Sequence, residues 1–555
     1  MMNQSRARES TNAIKRIYVA MQHLLNRGHY KPMGESGNAL RSALLELRPE
    51  IYGSIAEDKT ELNGLIYVLE RLPEGIEECV HINLTSDEGY AQTHLKPIVP
   101  PKRRRNCYRI DPDQMNIEIT RGRSDVYDIL THLTFLYWEA DKLQERAWQT
   151  DTQTFSHDWV KFSSVMGMEE RTEADRERAL IHLASMMGRT YTEARALYTN
   201  FATPQAPDRM LSLFFWLIKR SMDEHTQGIK RSISFSPLLR ERIGHHIYGE
   251  KWANNIKKVL SDHQLFNRPI HLISANMHSV MNALYAGHAL EEDTKGLTAL
   301  ARYELLSASE NDHLRSQVKA YAHAHGMISI DDTSGTNIDV QVFDMAQCVS
   351  GACAFKSGKN QDDQPVLVVM DYAFGEQAFE TVDEFLKPFD TPIGAQYLNI
   401  ASVSLMGKAG ILAGDKGDLM IPTAHIFEGT ADNYPFENAL SVADFTGHGL
   451  QVFGGPMISV LGTSLQNKDI LSYFQASSWG VIGLEMEGVH YQKAIQAAAK
   501  IRKNIREDVV VRYAYYASDN PLETGSTLAS GGLGTTGVKP TYLITEKILE
   551  QIFNG

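Results

Sequence analysis

The sequence predicts two domains of different class: a mainly helical amino-terminal domain over residues 1–260 and an α/β domain over residues 261–555. Three observations predict this. The chain has 555 residues, more than one hydrophobic core ordinarily supports, since single cores stop growing at roughly 250–300 residues. Up to about Asn267 the apolar residues recur at helical spacing. Beyond it, short runs rich in Val, Ile and Leu alternate with helical segments, the pattern of a sheet covered on both faces.

In chain order, Ile14, Ile17, Tyr18, Met21, Leu24 and Leu25 make one apolar stripe, and Gly28 ends that helix. The same periodicity predicts helices over Asn38–Leu47, Glu61–Leu72, Val126–Leu143, Glu173–Met187 and Met210–Met222, separated by turns bearing Pro and Gly. Between them, HLKPIVPPKRRR, ending at Arg105, combines prolines with a basic run and reads as an exposed connection. Past Asn267, PIHLIS reads as a short buried strand followed by a helix, Met277–Tyr285. Strands are then predicted at Ile338–Phe343, Val366–Met370, Ala401–Leu405, Leu419–Pro422, Met457–Leu461, Val481–Leu484 and Val509–Ala517, with a helical insertion around 288–325.

Composition narrows the function. Apolar residues are 43% and charged residues 22% of the chain, the balance of a packed globular protein. A net charge of -13 argues against general nucleic-acid binding, which needs excess Lys and Arg to displace counterions; a polar or charged small molecule is the better partner. The four cysteines, Cys79, Cys107, Cys348 and Cys353, are scattered, include no CxxC pair for zinc, and read as buried reduced thiols. No apolar run approaches the ~20 residues that span a bilayer, and the charged start does not resemble a signal peptide, so a cytoplasmic protein without membrane contact is expected. GKAG at 407–410 lacks the GxxxxGK[ST] form of a phosphate loop, and GLGTTG at 532–537 lies too near the end for a dinucleotide-binding βαβ unit to follow. Neither a cofactor nor a metal is called for.

The chemistry-bearing constellation is Leu484-Glu485-Met486-Glu487-Gly488 at the end of a strand, then a helix over His490–Ile505, the strand Val509–Ala517, and Ser518-Asp519. Strand ends present side chains at the carboxyl edge of a sheet, where open α/β sheets bind ligands, so Glu487 and Asp519 are expected to face one pocket. The plainer reading has Glu487 capping its helix, where the dipole favours a carboxylate, and Asp519 starting a turn before Pro521.

In these motifs the carboxyl-terminal half resembles the nucleoside phosphorylase and nucleosidase superfamily, whose members pair Met-Glu with a later Ser-Asp. Val369–Leu386, VMDYAFGEQAFETVDEFL, resembles the family's strand, glycine turn and helix near the phosphate or ribose site, with Gly375 at the turn. Leu405–His425, LMGKAGILAGDKGDLMIPTAH, resembles its glycine-rich segment and the strand after it. YYASDNPL is closest to AMP nucleosidases, which also follow Ser-Asp with Pro-Leu. The resemblance implies a nucleoside phosphorylase-like fold, a homo-oligomer, and cleavage of the N-glycosidic bond of a purine nucleoside or nucleotide, with release of the free base. It implies that Asp519 protonates the leaving purine, which needs a carboxyl pKa well above ~4. Glu487, ionised, would accept from the ribose hydroxyls. Met486 would pack on the ribose, Ser518 would orient Asp519 or contact the base, and Gly375, Gly407, Lys408 and Gly410 would border the substrate.

The family's phosphorolytic members place an arginine just before the glycine-rich segment to hold inorganic phosphate. Here Ala401–Lys408 reads ASVSLMGK, and Lys408 cannot reproduce the fork of a guanidinium. Hydrolysis is therefore favoured over phosphorolysis, with Lys408 a 5′-phosphate contact or a solvated loop lysine.

Gly525–Gly537 reads as a lid. Lys102, Arg103, Arg104 and Arg105, with Arg121 and Arg123, could bind a phosphate effector of an amino-terminal regulatory domain, but a solvated run is the simpler expectation. His132 and Glu139, at i and i+7, make no metal site alone, and His278 is assigned no role. The helical half, without paired strand-end carboxylates, is expected to regulate or support assembly.

Overall fold

The apolar stripe of the first helix is the buried face of Met2–Arg27, with Ile14, Ile17, Met21, Leu24 and Leu25 all in the core. Gly28 ends it at a positive φ of 84°, a conformation glycine adopts without steric cost. The computed structural model describes residues 2–149, 151–348, 352–355, 360–392, 394–430, 432–523 and 534–554. The chain divides into two units: residues 1–120, 125–245 and 464–467 form the first, and residues 121–124, 246–463 and 468–555 the second.

The first unit is largely helical. Asn38–Leu47 and Glu173–Met187 are helices over the predicted residues, and Gly122–Ala147 and Arg209–Thr226 extend their predicted segments at both ends. Glu173–Met187 starts at a reciprocal capping box, in which the Thr172 hydroxyl takes the Asp175 N–H and the Asp175 carboxylate takes the Thr172 N–H at 2.9 Å. The unit also holds a five-stranded sheet that the sequence reading did not anticipate. Its strands are β1 (His29–Tyr30), β2 (His81–Thr85), β3 (Cys107–Asp111), β4 (Gln114–Glu118) and β7 (Ser232–Phe235), in the order β1-β7-β2-β4-β3. A separate ribbon pairs β5 (Trp148–Gln149) with β6 (Thr154–Phe155).

The expected solvated basic run is only partly solvated. Lys102 and Arg104 are exposed, but Arg105 is buried between Asp125 and Asp128, 2.6 and 2.5 Å away, and Arg103 pairs with Asp128 at 2.8 Å. Two buried carboxylates draw the guanidiniums inward and use their charge structurally. His132 is likewise a core residue, its ring nitrogens 3.1 Å from the Tyr52 hydroxyl and 3.1 Å from Asp128.

The second unit is built on ten strands: β8 (Ile270–Ser274), β9 (Met327–Ile330), β10 (Val340–Asp344), β11 (Val366–Met370), β14 (Ile400–Ile411), β15 (Leu419–Phe427), β16 (Asn433–Pro435), β17 (Val452–Ser459), β18 (Gly483–Glu485) and β19 (Val510–Asp519). A small ribbon, β12 (Phe389–Thr391) with β13 (Gly394–Gln396), stands apart. β8, β11, β14 and β19 run parallel, so their carboxyl ends share one edge. β14, β19, β15, β17 and β18 each pair with the next and β18 returns to β14, closing that part of the sheet into a ring.

Every residue of β11 is buried, which a strand covered on both faces requires. One face is packed by Ile247–Asp262, Gln377–Phe385 and Gly488–Gln496, and the other by Met277–Ala289, Asp312–Ala324 and Val538–Asn554. Helix Ile247–Asp262, read from sequence as the end of the first domain, lies in this second unit, with Trp252, Ile256 and Leu260 in its core. Cys348 and Cys353, expected to be reduced, form a disulfide, their Cα atoms 6.3 Å apart and so within bridging reach; Cys79 and Cys107 are free and buried as expected. Among the described residues no helix is long and apolar enough to cross a membrane.

Candidate active site

β18 is only three residues long, and Glu485, its last residue, shapes the turn beyond it. The buried Glu485 carboxylate takes the Ser459 hydroxyl, the Glu487 N–H at 2.5 Å and the Gly488 N–H, pinning the turn into helix Gly488–Gln496. A Cβ at Gly488 would lie 2.4 Å from the His425 ring, so the turn passes too close to that ring for any other residue. Burial pushes the Glu485 carboxyl up to about 7. Sequence reading singled out the second glutamate of LEMEG and gave the first no role.

Held this way, Glu487 sends its carboxylate across to the β11 edge, where Oε1 accepts the Gly375 N–H at 2.9 Å. Glu487 occupies the N-cap position of its helix, yet its side chain makes no capping bond, so the plain capping alternative does not describe it. Gly375 has φ +57°, and a Cβ there would fall 2.3 Å from Ser124 Oγ and 3.9 Å from Met486 Cε. Gly375, Met486 and Glu487 are thus brought together. Glu487 was expected to be ionised; instead burial, with the like charge of Glu485 beside it, pushes its carboxyl up to about 8.

Asp519 closes β19 on the same carboxyl edge. Its Oδ1 lies 2.6 Å from Ser518 Oγ, which is also 3.2 Å from the Ala409 carbonyl oxygen. One hydroxyl hydrogen cannot serve two acceptors. With Asp519 protonated, Ser518 accepts from the acid and donates to Ala409, and both contacts are satisfied. Asp519 Oδ2 is buried and has no hydrogen-bond partner among the described residues. Burial raises the Asp519 carboxyl above its usual range, against the opposing pull of Ser518, Lys408 and Lys416. The turn beyond it is built by Asn520, whose side-chain oxygen takes the Leu522 N–H at 3.0 Å and whose amide reaches the Gly414 carbonyl at 3.1 Å, so Asp519 does not serve as the turn-former.

Gly410 joins the two carboxylates' strands. It is paired with Leu484 of β18 on one side and with Asp519 on the other, which sets those two backbones roughly 9–10 Å apart, two strand spacings. A Cβ at Gly410 would meet Leu484 Cδ2 at 2.8 Å and Pro521 Cγ at 3.1 Å, so the close approach needs glycine. Gly407 has ordinary room, its Cβ position 3.7 Å from Tyr372 and Tyr515. Lys408 is exposed on β14, and its charge lowers the Asp519 carboxyl. The lid expected over Gly525–Gly537 lies, up to residue 533, outside the described residues; Gly534–Gly537 is a short turn before the last helix. His278 is exposed in the first turn of its helix.

Sequence reading weighed Arg121 and Arg123 only as ligands for a phosphate effector and gave Ser124 no role. Arg121–Ser124 belongs to the second unit. Arg121 lies over the Phe374 ring at 4.8 Å, Arg123 is 4.0 Å from Glu376, and Ser124 Oγ takes the Glu376 N–H at 2.8 Å. These residues pack the turn that receives Glu487. Among the described residues no group of three His, Cys, Asp or Glu is placed to hold a metal ion.

Fold and site together define an α/β protein in which Glu487, beyond β18, and Asp519, at the end of β19, carry carboxyl groups raised above their usual range. The chain belongs to a family of unknown function, DUF6909, whose profile matches residues 38–304 and 297–554. No curated protein matches it. Among solved structures, the chain is similar to the 5′-methylthioadenosine/S-adenosyl homocysteine nucleosidase of Campylobacter jejuni, with 11% identity, a TM-score of 0.32, and coverage of 52% of this chain and 99% of that one. It is also similar to the futalosine hydrolase of Helicobacter pylori, with 9% identity, a TM-score of 0.30, and coverage of 52% and 99%. The uridine phosphorylase of Schistosoma mansoni, in complex with thymidine, matches with 11% identity, a TM-score of 0.31, and coverage of 53% and 91%.

Proposed function

We propose that the second unit hydrolyses the N-glycosidic bond of a purine nucleoside or nucleotide, AMP among the candidates, and releases the free base. The observation that carries this reading is Asp519: a buried carboxyl with raised proton affinity, one oxygen held beside Ser518 and the other without a partner among the described residues. A proton donor to a departing base needs those properties. As the glycosidic bond breaks, its electron pair goes to the purine, which takes the Asp519 proton; water then adds to the cationic anomeric carbon and its surplus proton leaves to solvent, from which the Asp519 carboxylate is reprotonated.

Glu487 serves the sugar. Hydroxyl donors from ribose favour its charged form and draw its proton off, and the resulting contacts strengthen as positive charge grows on the ring. Met486, against the Gly375 turn, is the apolar wall for the ribose; Gly375, Gly407 and Gly410 keep that border free of side chains, and Lys408 supplies a cation for a 5′-phosphate. The absence of an arginine in Ala401–Lys408 favours water over phosphate as the acceptor. In this reading the protein is a cytoplasmic homo-oligomer with a small-molecule purine substrate.

The test incubates the full-length protein with purine nucleosides and nucleotides, with and without inorganic phosphate, and resolves the products by chromatography. Hydrolysis gives free base with ribose or ribose 5-phosphate whether or not phosphate is present. Ribose 1-phosphate formed only with added phosphate would mean phosphorolysis, and ligand binding without any base release would make the protein a nucleotide sensor.

A further inference from the structure

Arg121–Ser124 comes from the amino-terminal half of the sequence but belongs to the second unit, packed on the turn Phe374–Glu376. The middle residue of that turn gives its N–H to Glu487. The turn is therefore bounded by Glu487 on one side and by Ser124 and Arg121 on the other. Gly375 leaves no room between them, its Cβ position lying 2.3 Å from Ser124 Oγ. The flat guanidinium of Arg121 stacks on Phe374, the residue next to Gly375, an arrangement that fixes the position of a charge which cannot be neutralised near pH 7.

We propose that Arg121 is a positioning residue of the active site, a counter-charge that brings Glu487 closer to the carboxylate form it presents to substrate hydroxyls. The inference rests on the reading of Glu487 given above. The groups facing Glu487 make the need plain. Glu485 precedes it and repels its charge, the Tyr491 and Tyr515 hydroxyls are held neutral by burial, and the favourable contributions come from the N–H groups of Gly375 and Met486 and from Arg121. Burial and Glu485 still hold the carboxyl up to about 8 with Arg121 in place, so Arg121 offsets part of their effect and the substrate hydroxyls complete the ionisation. Arg123 is directed differently, toward Glu376 and His246. The amino-terminal half thus contributes a residue to the site, where sequence reading gave it only regulation or assembly.

The test tracks the carboxyl resonances of full-length protein labelled with ¹³C at glutamate Cδ. Glu487 is identified by Glu487→Gln and titrated in wild type, Arg121→Gln and Arg121→Lys. Arg121→Gln is expected to titrate Glu487 about one pH unit higher. Arg121→Lys, which keeps the charge and loses the stacking, should stay within a few tenths of wild type. Since only the ionised form is active, kcat/KM for base release below the wild-type titration should fall about tenfold in Arg121→Gln and recover in Arg121→Lys. An unchanged titration in Arg121→Gln, or Arg121→Lys behaving like Arg121→Gln, overturns the proposal and reduces Arg121 to packing. A shifted titration with no base released by any variant leaves the counter-charge in place and overturns the glycosidase reading instead.

Discussion

Replacing Gly375 with alanine tests whether the Glu487 turn is as tightly built as its geometry indicates. The new Cβ would lie 2.3 Å from Ser124 Oγ and 2.8 Å from Ser124 Cβ, at φ +57°. The left-handed backbone costs a non-glycine residue roughly 1–2 kcal/mol, and forcing a methyl into a filled space costs about 1–3 kcal/mol more. The sum, ~2–5 kcal/mol, is large for one methyl group. Urea unfolding of wild type, Gly375→Ala, Ser124→Gly and the double variant measures it. Ser124→Gly removes the clashing atoms, so the double variant should recover the steric part and keep the backbone part, giving a coupling of about 1–3 kcal/mol. If Gly375→Ala lies within about 0.5 kcal/mol of wild type, the turn has slack and the positioning argument for Glu487 fails.

Three further outcomes are expected. Glu380 is fully buried beside Glu376, and burial pushes its carboxyl up to about 8; the folded state therefore binds a proton more tightly than the unfolded state, so this group's stabilisation is complete below about pH 4.5 and is lost as pH rises through 8. Glu380→Gln, neutral at every pH, should gain on wild type by a few kcal/mol between pH 5 and 9 in urea midpoints, and a gap that does not widen with pH would contradict this. Lys408→Gln removes an exposed cation that lowers Asp519, so the basic limb of kcat/KM should move up by no more than about half a pH unit and respond to salt; a downward shift would mean that Lys408 acts otherwise. Thr172→Ala deletes half of a capping box and should destabilise by about 1 kcal/mol, read as a urea midpoint shift.

Much of the second unit was legible because its strands are continuous apolar runs. Val366–Met370 has no polar residue, and such a run bounded by turns has one outcome in a sheet covered on both faces. The sheet of the first unit was not legible. Its strands are two to five residues long and carry His81, Asn83, Arg109 and Asn116, so neither alternation nor apolar content rises above the helical pattern around them. Glu487 and Asp519 follow or close strands as the sequence indicates, but β18 runs antiparallel to β14 and β19 parallel to it, a difference in direction that the sequence does not carry. Their electrostatics were not legible either, since the elevation of Glu487 comes from burial and from Glu485, whose side chain turns back to the Ser459 hydroxyl and the N–H groups of the turn. Arg121 was hidden for a related reason. Its place beside Phe374 bridges more than 250 positions of sequence, and composition at 121–124 carries no trace of that contact.

The most direct test of the glycosidase reading compares wild type and Asp519→Asn on two substrates, a natural purine nucleotide and a ribosyl compound whose leaving group departs without protonation. The substitution keeps the shape and the Ser518 contact while removing the proton. Release of the purine should fall ~10²–10⁴-fold with little change in ground-state binding, whereas the activated substrate should be cleaved at nearly the wild-type rate. Purine release at the wild-type rate by Asp519→Asn, or equal losses on both substrates, would contradict the assignment of Asp519 as the acid.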